Sequence, residues 1–298
     1  METDMEAPGF ERIVSPDASL EVIADDFIFG EGPVWNARQS FFLWVDIIGD
    51  TIYRWSPGVG KEIVLRPSGK ANGTTYDRKG RLVVAGWGSR TVWRMEHDGS
   101  IVTLASHYNG KKINTPNDIV VKSDGSIYWT DPPGAMHIPG MEGDDVQRYL
   151  DFNGIFRLSP DEKTVTLVVE DCTYPNGLCF SPDESMLYIN DTRDANIRAF
   201  DVQSDGSVRN ARLFYTLVGT EDGVADGMKC DVEGNVYVTG PAGIHVVSPE
   251  GELLGRLKLP HHATNLAWGE SDWKSLFITT SVPGLVYRVR LNIPGVPV

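Results

Sequence analysis

The sequence predicts an all-β chain: a six-bladed β-propeller with four antiparallel strands in each blade. Three observations carry that reading. A short motif recurs six times, as Glu31-Gly-Pro-Val-Trp35, Asn72-Gly-Thr-Thr-Tyr76, Asn117-Asp-Ile-Val-Val121, Asn176-Gly-Leu-Cys-Phe180, Asp226-Gly-Met-Lys-Cys230 and Thr264-Asn-Leu-Ala-Trp268. Each copy opens on an oxygen-bearing side chain and, after turn-forming residues, meets a second apolar run, from Leu43-Trp-Val45 to Leu276-Phe-Ile278. That is strand, tight turn, strand. The second runs begin at residues 43, 82, 127, 187, 236 and 276, so the steps are 39, 45, 60, 49 and 40. Repeats of this size holding several short strands indicate a propeller.

Residues 1–19 are polar and read as a flexible N-terminal tail, and residues 20–298 as a single propeller domain. Leu20-Glu-Val-Ile-Ala24 is a spare strand ahead of the first repeat. The sixth repeat has third-strand residues Leu285-Val-Tyr-Arg-Val289 but no fourth run before Val298, so the spare strand is expected to complete the last blade and close the ring. The other five repeats supply their own third and fourth runs, for example Thr51-Ile-Tyr-Arg-Trp55 followed by Glu62-Ile-Val-Leu65. The third blade is longest because of an excursion from Asp131 to Phe152, which reads either as a lid or pocket wall or as a solvated loop. The closing Pro-Gly-Val-Pro-Val is expected to lack structure.

Bulk properties fit one closed fold. Apolar residues make up 41%, with eight Trp and ten Tyr to fill the wedges between blades. The net charge of −14, from 27 basic and 41 acidic residues, excludes a nucleic-acid partner, which needs a basic surface. Cys172, Cys179 and Cys230 are odd in number and two lie in strand runs, so free thiols are expected. No apolar run approaches membrane-spanning length, and the acidic start Met1-Glu-Thr-Asp-Met-Glu6 is unlike a secretory signal. The expectation is a cytoplasmic protein without a membrane partner, monomeric or weakly homo-oligomeric.

The first strand of a blade lies nearest the propeller axis. Glu31, Asn72, Asn117, Asn176, Asp226 and Thr264 are therefore expected to converge at one mouth of the central channel. Two carboxylates in such a ring repel each other, and no Lys or Arg occupies any of the six positions. A divalent cation resolves the repulsion. All-oxygen ligation favours Ca²⁺, with Mg²⁺, Mn²⁺ or Zn²⁺ as alternatives.

Glu31-Gly-Pro-Val-Trp35, Asn114-Thr-Pro-Asn-Asp118, Ser126-Ile-Tyr-Trp-Thr-Asp-Pro-Pro133, Pro175-Asn-Gly-Leu178, Phe180-Ser-Pro-Asp183 and Asp226-Gly-Met228 together resemble the SMP-30/gluconolactonase/luciferin-regenerating-enzyme family. The resemblance spans roughly residues 25 to 290. It implies a six-bladed propeller with one catalytic divalent ion on its axis, held by Glu31, Asn176 and Asp226, with Asn117 as a further ligand or a substrate contact. It also implies ring-opening of sugar lactones. Two substrate-facing positions depart from the family pattern: Gly86-Trp87 stands where many members carry an acidic-His pair, and Thr115 where some carry Arg.

The expected mechanism has the ion polarise the lactone carbonyl and activate water, with Asp226 as general base. Asn72, Asn117, Thr115 and Trp87 are the expected substrate contacts. His261-His262 read as a solvated loop pair or as a residue at the channel mouth, and Asp191 as a link to a neighbouring blade or a residue facing the pocket. Competing readings are a phosphotriesterase-like hydrolase on the same metal site, a non-hydrolytic enzyme on the same scaffold, and a non-catalytic binding propeller. No Gly-x-Ser-x-Gly elbow is present to suggest a serine hydrolase.

Overall fold

A computed structural model describes residues 1–298. Six antiparallel sheets stand around a central axis, five of them running from an inner to an outer strand in chain order. Blade one comprises Gly30–Asn36, Phe41–Asp46, Thr51–Ser56 and Gly60–Leu65. The inner strands of blades two to six are Thr74–Tyr76, Ile119–Val121, Pro175–Phe180, Met228–Cys230 and Ala263–Gly269. Glu21–Phe27 pairs antiparallel with Gly284–Arg290 as the outer strand of blade six, which is the predicted closure. Because the sixth blade is built from both ends of the repeat region, it leaves no blade incomplete.

The core lies between blades rather than within any one of them. Where blade six meets blade one, Phe277 stacks on Phe42 at 4.5 Å and on Trp35 at 5.7 Å between ring centroids. Tyr237 of blade five meets Trp268 of blade six edge-on at 4.6 Å. Large flat side chains on the second strands thus fill the wedge that opens with radius.

Nearer the axis there is no room for side chains, and glycine follows the first motif residue in four blades. A Cβ on Gly73 would sit 2.5 Å from the Asn117 carbonyl oxygen, and one on Gly177 would sit 2.2 Å from that of Asp226. The approach allows backbone bonds from blade to blade: Gly73 N–H to Asn117 O at 2.7 Å, Gly177 N–H to Asp226 O at 2.9 Å, and Gly227 N–H to Thr264 O at 2.7 Å. The residues at the head of each motif are therefore held by neighbouring blades as well as by their own.

Both termini are more ordered than their composition suggested. Thr3–Met5 adds a fifth strand to the outer edge of blade five, against Leu253–Lys258. That outer strand carries Arg256 and Lys258, which pair with Asp4 at 2.7 and 3.0 Å, so the acidic start of the chain is attracted to it. Phe10 and Ile13, on a four-residue helical turn, are buried between blades five and six. At the other end, Val296 N–H donates to Cys230 O and Gly295 N–H to Trp273 O, fixing the tail under the inner strands. No helix is long and apolar enough to cross a membrane.

Candidate active site at one mouth of the axial channel

Five of the six predicted ring residues meet in one cavity of about 410 Å³: Glu31, Asn72, Asn117, Asn176 and Asp226 form its floor. Thr264 does not join them. Its hydroxyl donates to Gly30 O and lies 3.0 Å from that of Thr279, so it ties blade six to blade one. The next residue, Asn265, faces the axis instead, and its Nδ2 donates to Glu31 Oε2 at 3.0 Å. Gly32 N–H donates to the same oxygen at 3.0 Å.

The amide of Asn176 has one possible orientation. Thr192 Oγ1 donates its only proton to Ala225 O at 2.6 Å, so it can only accept from Asn176 Nδ2, at 3.0 Å. Asn176 Oδ1 is thereby turned away from Thr192, buried and without a partner, and Asn72 Oδ1 is left in the same condition. Buried oxygens without donors are costly unless something positive meets them.

The carboxylates tell the same story. Burial pushes Glu31 up to about 7, reinforced by Asp118 and opposed by the bonds from Asn265 and Gly32. Asp226 is raised well above the ordinary carboxylate range, first by burial and then by the charges of Glu31 and Asp118. Nowhere in the chain do three His, Cys, Asp or Glu side chains form a group that could hold a metal. An ion at this floor would therefore be held by two carboxylates completed by amide oxygens. Two repelling carboxylates and two orphaned amide oxygens fit a hard divalent cation well.

A second polar layer lies beneath the floor, and sequence reasoning missed it. Where four motifs have glycine, blades three and six have Asp118 and Asn265, whose side chains enter the channel. Lys229 Nζ, which lines a second cavity at the opposite mouth, reaches Asp118 Oδ2 at 3.4 Å. The signal was available: a polar residue at a position that is otherwise glycine.

The walls come from loops that join the second and third strands of a blade and from connections between one blade and the next. Trp87 lines the cavity as expected and its indole N–H donates to Met141 O at 3.2 Å. Met141, Ile138 and His137 belong to the long excursion of blade three, which is a wall of the site. Arg90, 1% exposed, holds this excursion down: its guanidinium donates to Ile113 O, Asn114 O, Asp145 O and Gln147 O. Thr115 is not a wall residue. It is fully buried and its hydroxyl donates to Pro132 O, anchoring the base of the excursion. Tyr174, Arg193 and His262 complete the rim, so the His261-His262 pair divides: His262 lines the cavity while His261 bonds the Tyr287 hydroxyl at 2.6 Å. Asp191 does not line the cavity; it accepts the N–H groups of Arg193 and Asp194 in its own blade and of Thr173 and Tyr174 in the segment arriving from the outer strand of blade three.

The family profile described as "SMP-30/Gluconolactonase/LRE-like region" matches residues 29–282, which takes in blades one to five, the two inner strands of blade six and every residue that lines this cavity. The chain belongs to that family. It is 33% identical to a gluconolactonase of Zymomonas mobilis over 97% of this chain and 86% of that one. It is 28% identical to regucalcin of Xenopus laevis, over 89% and 87% of the two chains. Among solved structures, a gluconolactonase of Xanthomonas campestris superposes with a TM-score of 0.90 at 30% identity, covering 98% and 95% of the two chains. Departures from the family pattern at Trp87 and Thr115 have different meanings in space: one shapes the wall, the other braces it from behind.

Proposed function

We propose that this chain is a metal-dependent hydrolase that opens the ring of a sugar lactone. The observation that carries the proposal is the convergence of Glu31 and Asp226 with the partnerless oxygens of Asn72 and Asn176 on the floor of one cavity. The similarity to gluconolactonases supports the substrate class. Glu31, Asn176 and Asp226, with Asn117, are the residues that would hold the ion. A divalent cation bound there, Ca²⁺ first among hard ions, supplies the positive charge that draws electron density from the lactone carbonyl.

The chain's own groups do the rest. Asp226, half-buried and open to the cavity, takes a proton from the attacking water while the water oxygen bonds to the carbonyl carbon. The bond from that carbon to the ring oxygen breaks, and the ring oxygen leaves with a proton as an alcohol, giving the open hydroxy acid. Glu31 keeps a fixed orientation through Asn265 and Gly32 and acts as an anionic anchor. Asn72 and Asn117 present amides to the sugar hydroxyls. Trp87 and Tyr174 form apolar walls that narrow access of bulk water to the floor.

The deciding experiment follows acid release from gluconolactone and xylonolactone by chelated protein, before and after adding Ca²⁺, Mg²⁺, Mn²⁺ or Zn²⁺. Turnover restored by a metal and lost in Asp226→Ala supports the proposal and identifies the ion. Metal binding without turnover of any lactone refutes the lactonase reading, and absence of metal binding refutes the metal site itself.

A further inference from the structure

The charge in the cavity is arranged in two levels. Both acids, Glu31 and Asp226, are on the floor, and the other ionisable groups at the rim are Arg193, His137, His262 and the phenol of Tyr174. No carboxylate lines the rim, in a chain that carries 41 acidic residues against 27 basic ones. With the floor offset by a divalent cation, the rim presents positive potential to whatever enters.

Arg193 is the group that sets this potential, and its side chain has no carboxylate or carbonyl partner. It lies over the Tyr174 ring, 5.4 Å from the centroid. The acids beside it are already engaged. Asp191 accepts the backbone N–H groups of Thr173, Tyr174, Arg193 and Asp194, and Asp194 accepts the Thr173 hydroxyl at 3.0 Å. By contrast Arg198, on the next strand, pairs with Asp171 at 2.7 Å. Tyr174 feels the charges of both Asp226 and Arg193, so a single aromatic ring bridges the floor and the guanidinium. On the same rim His262 leaves Nε2 buried and without a hydrogen-bond partner.

We propose that the preferred substrate is a lactone bearing an anionic group on the carbon most remote from its ring carbonyl, and that Arg193 receives this group, with His262 as a second polar contact. The proposal rests on the lactonase reading above and adds the substrate's charge. A guanidinium forks onto carboxylate, phosphate or sulfonate oxygens through two parallel N–H bonds, and stacking on Tyr174 pre-sets its plane. At about 410 Å³ the cavity lies within the range of about 300–1,000 Å³ that small-molecule sites occupy.

The test compares kcat/KM of the metal-loaded protein for neutral glucono-δ-lactone with that for three anionic lactones: glucarolactone, 6-phosphogluconolactone and 6-deoxy-6-sulfogluconolactone. Wild type, Arg193→Ala and Arg193→Lys are assayed side by side, with circular dichroism to verify folding. At least one anionic lactone should exceed the neutral one by about 10- to 100-fold, the worth of a charge-assisted pair, and the best of the three identifies the group. Arg193→Ala should remove that advantage through KM, lower kcat/KM at least about tenfold more for the anionic lactones than for the neutral one, and be partly rescued by lysine. Turnover of the neutral lactone at least equal to all three anionic ones overturns the charge assignment while leaving the lactonase reading intact. An equal loss on neutral and anionic lactones in Arg193→Ala overturns it too. Failure of the wild type on every lactone overturns the lactonase reading and this inference together.

Discussion

Asn265 Nδ2 donates to Glu31 Oε2 at 3.0 Å, so the last blade holds the first blade's carboxylate at the place where the ring closes. Removing the amide leaves Glu31 with Gly32 as its remaining donor. Asn265→Ala is expected to lower stability by about 1–3 kcal/mol, the cost of unpairing a buried acceptor. Asn265→Asp should cost more, because it adds a third acid beside Glu31 and Asp118. Thermal melts in chelator and in Ca²⁺ check both, and a larger drop in chelator than in Ca²⁺ is the expected signature.

After burial, the charge of Glu31 is the next cause that raises Asp226's resistance to ionising, so the repulsion between the two weighs on the metal-free protein. Asp226→Asn should therefore leave the chelated protein at least as stable as wild type. It should also abolish the rise in Tm that added cation gives and reduce turnover by at least about 100-fold. A cation present at 100 times its Kd adds about 2.7 kcal/mol to a protein that binds it only when folded. Calorimetry with and without chelator measures both effects. A chelated variant less stable than chelated wild type contradicts the repulsion.

Arg90 is almost wholly buried and spends its donors on the carbonyls of residues 113, 114, 145 and 147. Arg90→Met keeps the bulk of the stem but leaves those carbonyls unpaired. Loss of about 3–5 kcal/mol in stability is expected, the usual penalty for breaking a buried charged network. Partial proteolysis should then cut first within residues 137–147, and KM should rise more than kcat falls.

How much of this was legible beforehand follows from what each residue touches. Strand positions were readable because the second strands are buried on both faces and so read as short uninterrupted apolar runs between turn residues, as in Leu43-Trp44-Val45. Thr264 was misread although its backbone sits in register, accepting from Gly227 N–H as Asn117 and Asp226 accept from Gly73 and Gly177: its short side chain is spent on Gly30 O and the Thr279 hydroxyl and does not reach the cavity. Asn265 and Asp118 escaped notice because they stand at the second motif position, which is glycine in the other four blades, and Lys229 because it lies two residues further along its strand. The N-terminal segment looked loose because its acids have no local purpose. Its partners, Arg256 and Lys258, lie some 250 residues away, and a local reading does not join segments so far apart.

Asp131 offers a pH test independent of the floor. Burial pushes its carboxyl from 3.8 up to about 8, against the pull of the Asn114 N–H and the Arg90 charge. Between those values the folded chain holds a proton that the unfolded chain has released, so stability falls as pH rises from 3.8 towards about 8. Asp131→Asn carries no such proton. The Tm of the variant should thus exceed that of wild type at pH 8 and lose its advantage near pH 5, and a pH series of melting curves checks it.

The outer strand of blade six, Glu21–Phe27, is synthesised ahead of every other strand of the six four-stranded blades, and its neighbour Gly284–Arg290 after all of them. During translation it waits with an unpaired edge while five other blades assemble. Its sequence suits the delay: Glu21, Asp25 and Asp26 space three negative charges over seven residues, which opposes pairing with a second nascent chain on the same ribosome cluster. Closure of the ring thus depends on a pairing between segments at opposite ends of the propeller, the kind of non-local contact whose loop-closure cost is met late in folding.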